Sequence, residues 1–173
     1  MEKKLKISLK IGKAAARLFN KKGYLETNMD NIAAAAKMSK GGIYHYFSSK
    51  DEILYFVLTN YMDLILDELE AQLDKIEDDL SKIQFIISRH IDLYTNNLSE
   101  AKTLLHEARC LPSKYYNSIA AKEREYYRIV ADVISEFLGD QGKHNKAQVT
   151  SLTFLLFGMC NWIYSWYDPK GAI

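Results

Sequence analysis

Only two of the 173 residues are proline, Pro112 and Pro169. Proline fixes φ and removes a backbone donor, so it breaks helices. Nothing of that kind interrupts residues 1–111. Apolar residues meanwhile recur every three or four positions, as on one face of a helix. No stretch alternates with the period of two that a half-buried strand needs. The sequence predicts an all-α protein.

Punctuation along the chain divides this helix into pieces. Ile7, Ile11, Ala14, Ala15, Leu18 and Phe19 share one face of a first helix, which Gly23 ends in a left-handed conformation. Asn28 caps a short second helix through Ala36, and Lys37-Met38 forms a tight turn. Ser39 caps a third helix reaching Tyr46 or Phe47. Ser49 and Glu52 have the spacing of a capping box and open a fourth helix through about Ile76. Charges at residues 74–79 mark a bend, and a fifth helix covers about Leu80 to Asn96. Ser99 caps a sixth that stops before Pro112, and Ser113 starts a seventh through Leu138, closed by Gly139. After the loop GDQGKHN, an eighth runs from Ala147 to Tyr167 and DPKG stops it.

The eighth segment carries no charge over 21 residues, which is spanning length. Its Gln148, Thr150, Ser151, Thr153, Asn161 and Ser165 favour a helix buried in a dimer core instead, so no membrane partner is expected. The highly charged start, Met1 to Lys10, lacks the apolar core of a secretion signal. Cys110 and Cys160 stand apart in apolar helical context and read as free thiols of a cytoplasmic protein.

A net charge of +1 conceals a division. Residues 1–50 hold 11 Lys/Arg against 3 Asp/Glu, whereas residues 51–173 hold 12 against 19. A basic head on an acidic remainder suggests a nucleic-acid-binding module joined to a domain with another task. The change of sign places the boundary near Lys50, giving domains 1–48 and 49–173.

Helices two and three, each about two turns, are joined by a turn of three to four residues, which is helix-turn-helix spacing. In that motif the second helix enters the major groove and its N-terminal residues meet base edges. Here these are Lys40, Gly41, Gly42, Tyr44 and His45, with Ile43 and Phe47 turned to the core. Each glycine costs a helix interior about 1 kcal/mol relative to alanine. Two explanations stand: a backbone without Cβ comes closer to DNA, or the glycines belong to the turn.

The stretch IGKAAARLFNKKGYLETNMDNIAAAAKMSKGGIYHYFSSKDEIL, Ile11 to Leu54, closely resembles the DNA-binding domain of the tetracycline-repressor (TetR) family of transcriptional regulators. The shared features are Ala-Ala-x-x-Leu-Phe, Gly-Tyr, the Thr before helix two, Ile-Ala-x-x-Ala, Ser-Lys-Gly and Tyr-x-x-Phe-x-x-Lys-x-x-Leu. The resemblance implies a homodimer that binds palindromic operator DNA. By motif position Lys40, Gly41, Tyr44 and His45 meet bases or nearby phosphates, while Thr27, Asn28, Tyr46 and Lys50 hold the DNA backbone. Ser39 and Gly42 complete the set. There are two departures: Lys37 stands where the family usually has Gly, and Gly42 where it often has Thr, Ser or Pro.

Residues 85–167 are rich in aromatic and soft side chains with a few polar groups among them. An apolar cavity with sparse polar anchors is the usual small-ligand site, although helical-bundle core has the same composition. Two stretches, HEARCLPSKYYNSIAAKEREYYRIV and LFGMCNWIYSWYDPKG, resemble the effector domains of the branch that controls fatty-acid and sterol degradation. That resemblance implies release from DNA by an acyl-CoA thioester. The candidate ligand residues are Tyr94, His106, Arg109, Tyr116, Tyr126, Phe157, Asn161 and Trp162. Arg109 suits a CoA phosphate or thioester carbonyl, or else pairs with Glu107 or Glu123. In that branch a further amphipathic helix follows Gly171; here the sequence ends at Ile173, so that helix is absent or the sequence is shortened.

A repressor sensing a drug or other hydrophobic molecule is the alternative. Its pocket would use carboxylates against a cationic drug, and no acidic residue stands inside the aromatic set. An unregulated architectural DNA binder would need no such set at all. The sequence shows no nucleophile elbow, phosphate loop or paired Cys/His metal spacing, and His90 and His106 lack a clear carboxylate partner. Catalysis, a cofactor and a metal are not expected.

Overall fold

A computed structural model describes residues 2–140 and 145–165. Among them all regular structure is helical, as expected: α1 (Glu2–Lys22), α2 (Met29–Ala36), α3 (Lys40–Tyr44), α4 (Lys50–Leu66), α5 (Leu69–Leu73), α6 (Asp79–Asn96), α7 (Leu98–Glu107), α8 (Ser113–Phe137) and α9 (Lys146–Asn161). Short 3-10 turns cover Ala108–Cys110 and Trp162–Ser165. The chain forms two compact units, residues 1–64 with 97–121 and residues 65–96 with 122–173.

In the first unit α1 packs on α2 and α7. Ile11, Ala15, Ala16, Ile32, Ile43, Ile53, Leu54 and Leu58 are closed off from solvent. Gly12 lets α4 approach: a Cβ there would stand 3.3 Å from the Phe56 ring and 3.4 Å from Val57. The Thr103 hydroxyl, also fully buried, donates to Ser99 O at 2.6 Å within α7. Tyr55 stacks on Tyr115 with ring centroids 4.5 Å apart and bonds Ser118 at 3.2 Å.

In the second unit α6 packs against α9. The buried residues include Leu69, Leu73, Ile86, Tyr94, Tyr126, Val130, Val133, Val149, Leu156 and Cys160. Arg89 on α6 donates to Asp67 O at 2.7 Å, tying the segment before α5.

Several boundaries differ from expectation. The fourth helix stops at Leu66 rather than near Ile76, because Glu68 turns left-handed at φ 51° and α5 starts afresh. α3 ends at Tyr44, with only turn bonds from Tyr46 and Phe47 back to Ile43 O. Ser99 lies inside α7, whose cap position is Asn97. The last helix becomes a 3-10 turn at Trp162. No helix among the described residues is long and apolar enough to cross a membrane. Both cysteines are free, Cys110 half-buried and Cys160 buried. The expected loop at 141–144, Trp166 and the DPKG stop lie outside the described residues.

Candidate functional site

The α2–α3 pair is closed at every end by its own residues. Asn28 Oδ1 accepts from Asn31 N at 2.8 Å, and Asn31 Oδ1 accepts from Asn28 N at 3.3 Å, a reciprocal box in which asparagine replaces the usual Glu. At the far end Met38 N donates to Ala33 O at 3.0 Å and Lys37 N to Ala34 O at 3.1 Å. This is a Schellman ending, and it puts Lys37 at φ 56° and ψ 49°, where glycine is the usual choice.

Ser39 caps α3 by accepting from Gly42 N at 3.1 Å. The two glycines now separate. A Cβ on Gly42 would meet Ser39 Oγ at 3.1 Å and Met38 Cε at 3.5 Å, whereas a Cβ on Gly41 meets nothing within 4 Å. Gly42 serves the cap and Gly41 lies open. Ile43 and Phe47 are buried and hold α3 down, as the spacing predicted, while Tyr44 is 46 % exposed and His45 exposed. His45 meets the Tyr46 ring edge-on at 5.1 Å. Lys40 reaches back to Asp30 on α2, with Nζ 3.1 Å from both carboxylate oxygens. That pairing raises the Lys40 pKa through the hydrogen bond first and charge second.

Two residues read as backbone-holding are turned inward. The Thr27 hydroxyl donates to Gly23 O at 2.8 Å in a residue only 1 % exposed. Lys50 Nζ donates to Tyr24 O and Thr27 O, both at 2.7 Å, and reaches Leu25 O at 3.4 Å. It also lies over the Tyr24 ring, 4.1 Å from the centroid. The Tyr24 hydroxyl donates to Asp51; burial first, then that carboxylate, pushes its pKa up. The expected capping box of α4 is shifted by one residue. Ser49 Oγ accepts from Glu52 N at 3.1 Å, but Glu52 takes Ser48 N at 2.6 Å and Ser48 Oγ at 2.7 Å.

The candidate ligand residues divide between the units. His106 and Arg109 are exposed and Tyr116 half-buried in the first. In the second, Tyr126, Phe157 and Asn161 converge on His90. Its Nδ1 lies 3.0 Å from Tyr126 OH and its Nε2 3.1 Å from Asn161 Oδ1. The Asn161 oxygen accepts the Nε2 proton, so Nδ1 accepts from the tyrosine. The rings of His90 and Tyr126 stack at 6.0 Å, and Phe157 leans on Tyr126 at 5.2 Å. Burial lowers the His90 pKa, with Asn161 opposing, and burial raises that of Tyr126. The cluster is a neutral hydrogen-bonded chain across α6, α8 and α9. The sequence places His90 among the few polar groups of the aromatic set, but not as the centre of this cluster. The available signal was its place four residues from both Ile86 and Tyr94, on the buried face of α6. Tyr94 itself is closed from solvent, and Trp162 is exposed.

The outer face of α9 is apolar. Phe154, Leu155, Gly158, Met159 and Trp162 line a shallow groove of about 450 Å³.

Comparison with known proteins agrees with this arrangement. Residues 11–55 match the model of the bacterial regulatory proteins of the tetR family. Residues 77–173 match the tetracyclin repressor-like C-terminal domain. The chain belongs to the TetR family of transcriptional regulators, whose members are not enzymes. It is similar to the regulator HbdR of Aromatoleum sp. (strain CIB), 43% identical over 60 residues, or 35% of this chain and only 26% of HbdR. The repressor KstR2 of Mycolicibacterium smegmatis is 22% identical over 161 residues, 92% of this chain and 78% of its own length. A TetR-family regulator from Bordetella parapertussis superposes with a TM-score of 0.90 at 30% identity, over 96% of this chain and 86% of that one. AibR, solved with isovaleryl coenzyme A and operator DNA, superposes with a TM-score of 0.83 at 28% identity, over 96% and 90%.

Proposed function

We propose that this chain is a repressor that binds palindromic operator DNA as a homodimer and is released by an acyl-CoA. The likeness to AibR carries this reading, since that protein holds an acyl-CoA and its operator in one structure at 28% identity. Lys40, Gly41, Tyr44 and His45 are the groups that meet bases or adjacent phosphates. All four are exposed on or just after the five-residue α3. Asn28, Ser39 and Gly42 shape that surface through its caps, and Tyr46 supports it beside His45.

Dimerisation through the outer face of α9 covers side chains too apolar to leave in water. Two copies of α3 then address half-sites about 34–36 Å apart, one helical turn of DNA. In the second unit, Tyr126, Phe157 and Asn161 around His90 are the candidates for apolar and polar contacts with the effector, together with Tyr94 and Trp162; Tyr116, His106 and Arg109 are the candidates in the first. The Arg109 guanidinium suits a CoA phosphate. An acyl-CoA favouring a conformation with altered half-site spacing lowers DNA affinity by population shift. A regulator of this kind works in the cytoplasm, beside the chromosome.

The test uses a duplex selected by the full chain from a random pool, read by fluorescence anisotropy. Isovaleryl-CoA and longer acyl-CoA thioesters should weaken binding, and free CoA should not. Unchanged affinity at saturating thioester of every chain length would exclude acyl-CoA as effector.

A further inference from the structure

We propose that Lys50 is a positioning residue for DNA reading, its ammonium locking the loop between α1 and α2 to the start of α4 rather than meeting a phosphate. An ammonium has three donors and no acceptor. Here they face three main-chain carbonyls: Tyr24 O and Thr27 O at 2.7 Å and Leu25 O at 3.4 Å. The face of the Tyr24 ring, 4.1 Å away, adds a cation–π contact. The next residue, Asp51, accepts from the hydroxyl of that same tyrosine. The first turn of α4 therefore grips Tyr24 at both its carbonyl and its hydroxyl.

The loop so gripped is itself closed. Thr27 N donates to Tyr24 O at 3.2 Å, and its hydroxyl to Gly23 O at 2.8 Å. Asn28, one residue on, is the cap of α2. A shift of the first turn of α4 thus reaches the start of α2 through two 2.7 Å contacts. From α2 it passes to α3 through the turn and the Asp30–Lys40 pair. Moving the ammonium out to a phosphate would strip the charged donor from the carbonyl of Thr27, a residue only 1 % exposed, and leave Tyr24 O with the Thr27 N–H at 3.2 Å. Leaving a buried carbonyl unsatisfied is costly. Arginine does not replace lysine here, because a planar fork cannot point three donors at carbonyls clustered around one atom.

Lys50 can play this part only if α3 reads DNA. The variants are Lys50→Met and Lys50→Arg in the full chain, with the selected duplex titrated at several salt concentrations and thermal melting followed without DNA. Both variants should melt several degrees lower and bind at least tenfold more weakly, with the wild-type slope of log affinity against log salt. A slope reduced by about 0.9, the loss of one phosphate contact, would overturn the assignment. So would an unchanged melting temperature in Lys50→Met, or wild-type affinity and melting in Lys50→Arg. A measurement on the unmutated chain guards against variants that do not fold. With lysine labelled at Nζ, the Lys50 ammonium should give a slowly exchanging NMR signal that added duplex does not move. A signal that appears or shifts only with duplex identifies a phosphate contact instead. If no duplex is selected at all, the DNA-reading role fails, while melting and NMR still decide whether the ammonium is locked in its cradle.

Discussion

At the α2–α3 turn the chain closes itself. Asn28, Lys37 and Ser39 satisfy the helix ends, Ile43 and Phe47 face inward, and the exposed side is polar or bare backbone. Along α9 the opposite holds. Val149, Thr153, Leu156 and Cys160 are buried on one side, yet Phe154, Leu155, Met159 and Trp162 point outward, Met159 70 % exposed. The first surface lacks only a polar ligand. The second is apolar on both sides, so folding of one chain leaves half of it wet. One surface offers polar groups and bare backbone and the other offers apolar side chains, so the two suit partners of different chemistry.

The sharpest attempt to break the first half of that contrast is Ile43→Ala. Ile43 is 0 % exposed beneath α3, and truncating such a residue costs about 2–5 kcal/mol. Urea unfolding should show a loss of that size together with loss of DNA binding. Retained stability would mean that α3 is not anchored as described.

For α9, Met159→Asp places a charge on the outer face without touching the buried side. Sedimentation should show the dimer replaced by monomer, and affinity for the selected duplex should fall at least tenfold, with thermal melting of the remaining fold little changed. A dimer that survives Met159→Asp would place the self-association surface elsewhere.

The two glycines sharpen the contrast on a smaller scale. Gly41→Ala meets open space and should stabilise the chain by about 1 kcal/mol through helix propensity, while weakening DNA binding. Gly42→Ala crowds the Ser39 cap and should gain little or nothing in stability. Equal gains in chemical denaturation would remove the distinction. Lys37→Gly, which relieves a left-handed lysine, should add about 0.5–1 kcal/mol and leave DNA affinity alone.

A final prediction concerns acid. His90 is held neutral by burial, with its folded pKa below its unfolded value. The unfolded chain therefore binds the extra proton first, and stability falls as pH drops below about 6.5, the ordinary imidazole value. His90→Gln keeps hydrogen-bonding capacity without titrating, so its stability should decline less between pH 7 and 5.5.

Much of the head was readable in the sequence because its signals are local. A cap, a three-residue spacing or an i, i+4 pair involves neighbours along the chain, so Asn28, Ser39, Ile43 and Phe47 fell where expected. The break at Glu68 was not readable, since the apolar pattern continues through Leu69 and Leu73 and no glycine or proline marks it. The cluster at His90 escaped for another reason. Its members are 36 and 71 residues from the histidine, and no spacing predicts that they meet.

The sequence by itself determined an all-helical chain, a basic helix-turn-helix head and the family that head belongs to. Periodicity, capping and charge are properties of residues a few positions apart. Tertiary structure decided what each polar group does. By motif position and its place at the start of the fourth helix, Lys50 reads as a residue that holds the DNA backbone. The fold brings three carbonyls to its ammonium across 23 to 26 residues. Gly42 likewise differs from its neighbour only because the fold puts the Ser39 hydroxyl 3.1 Å from where its Cβ would stand.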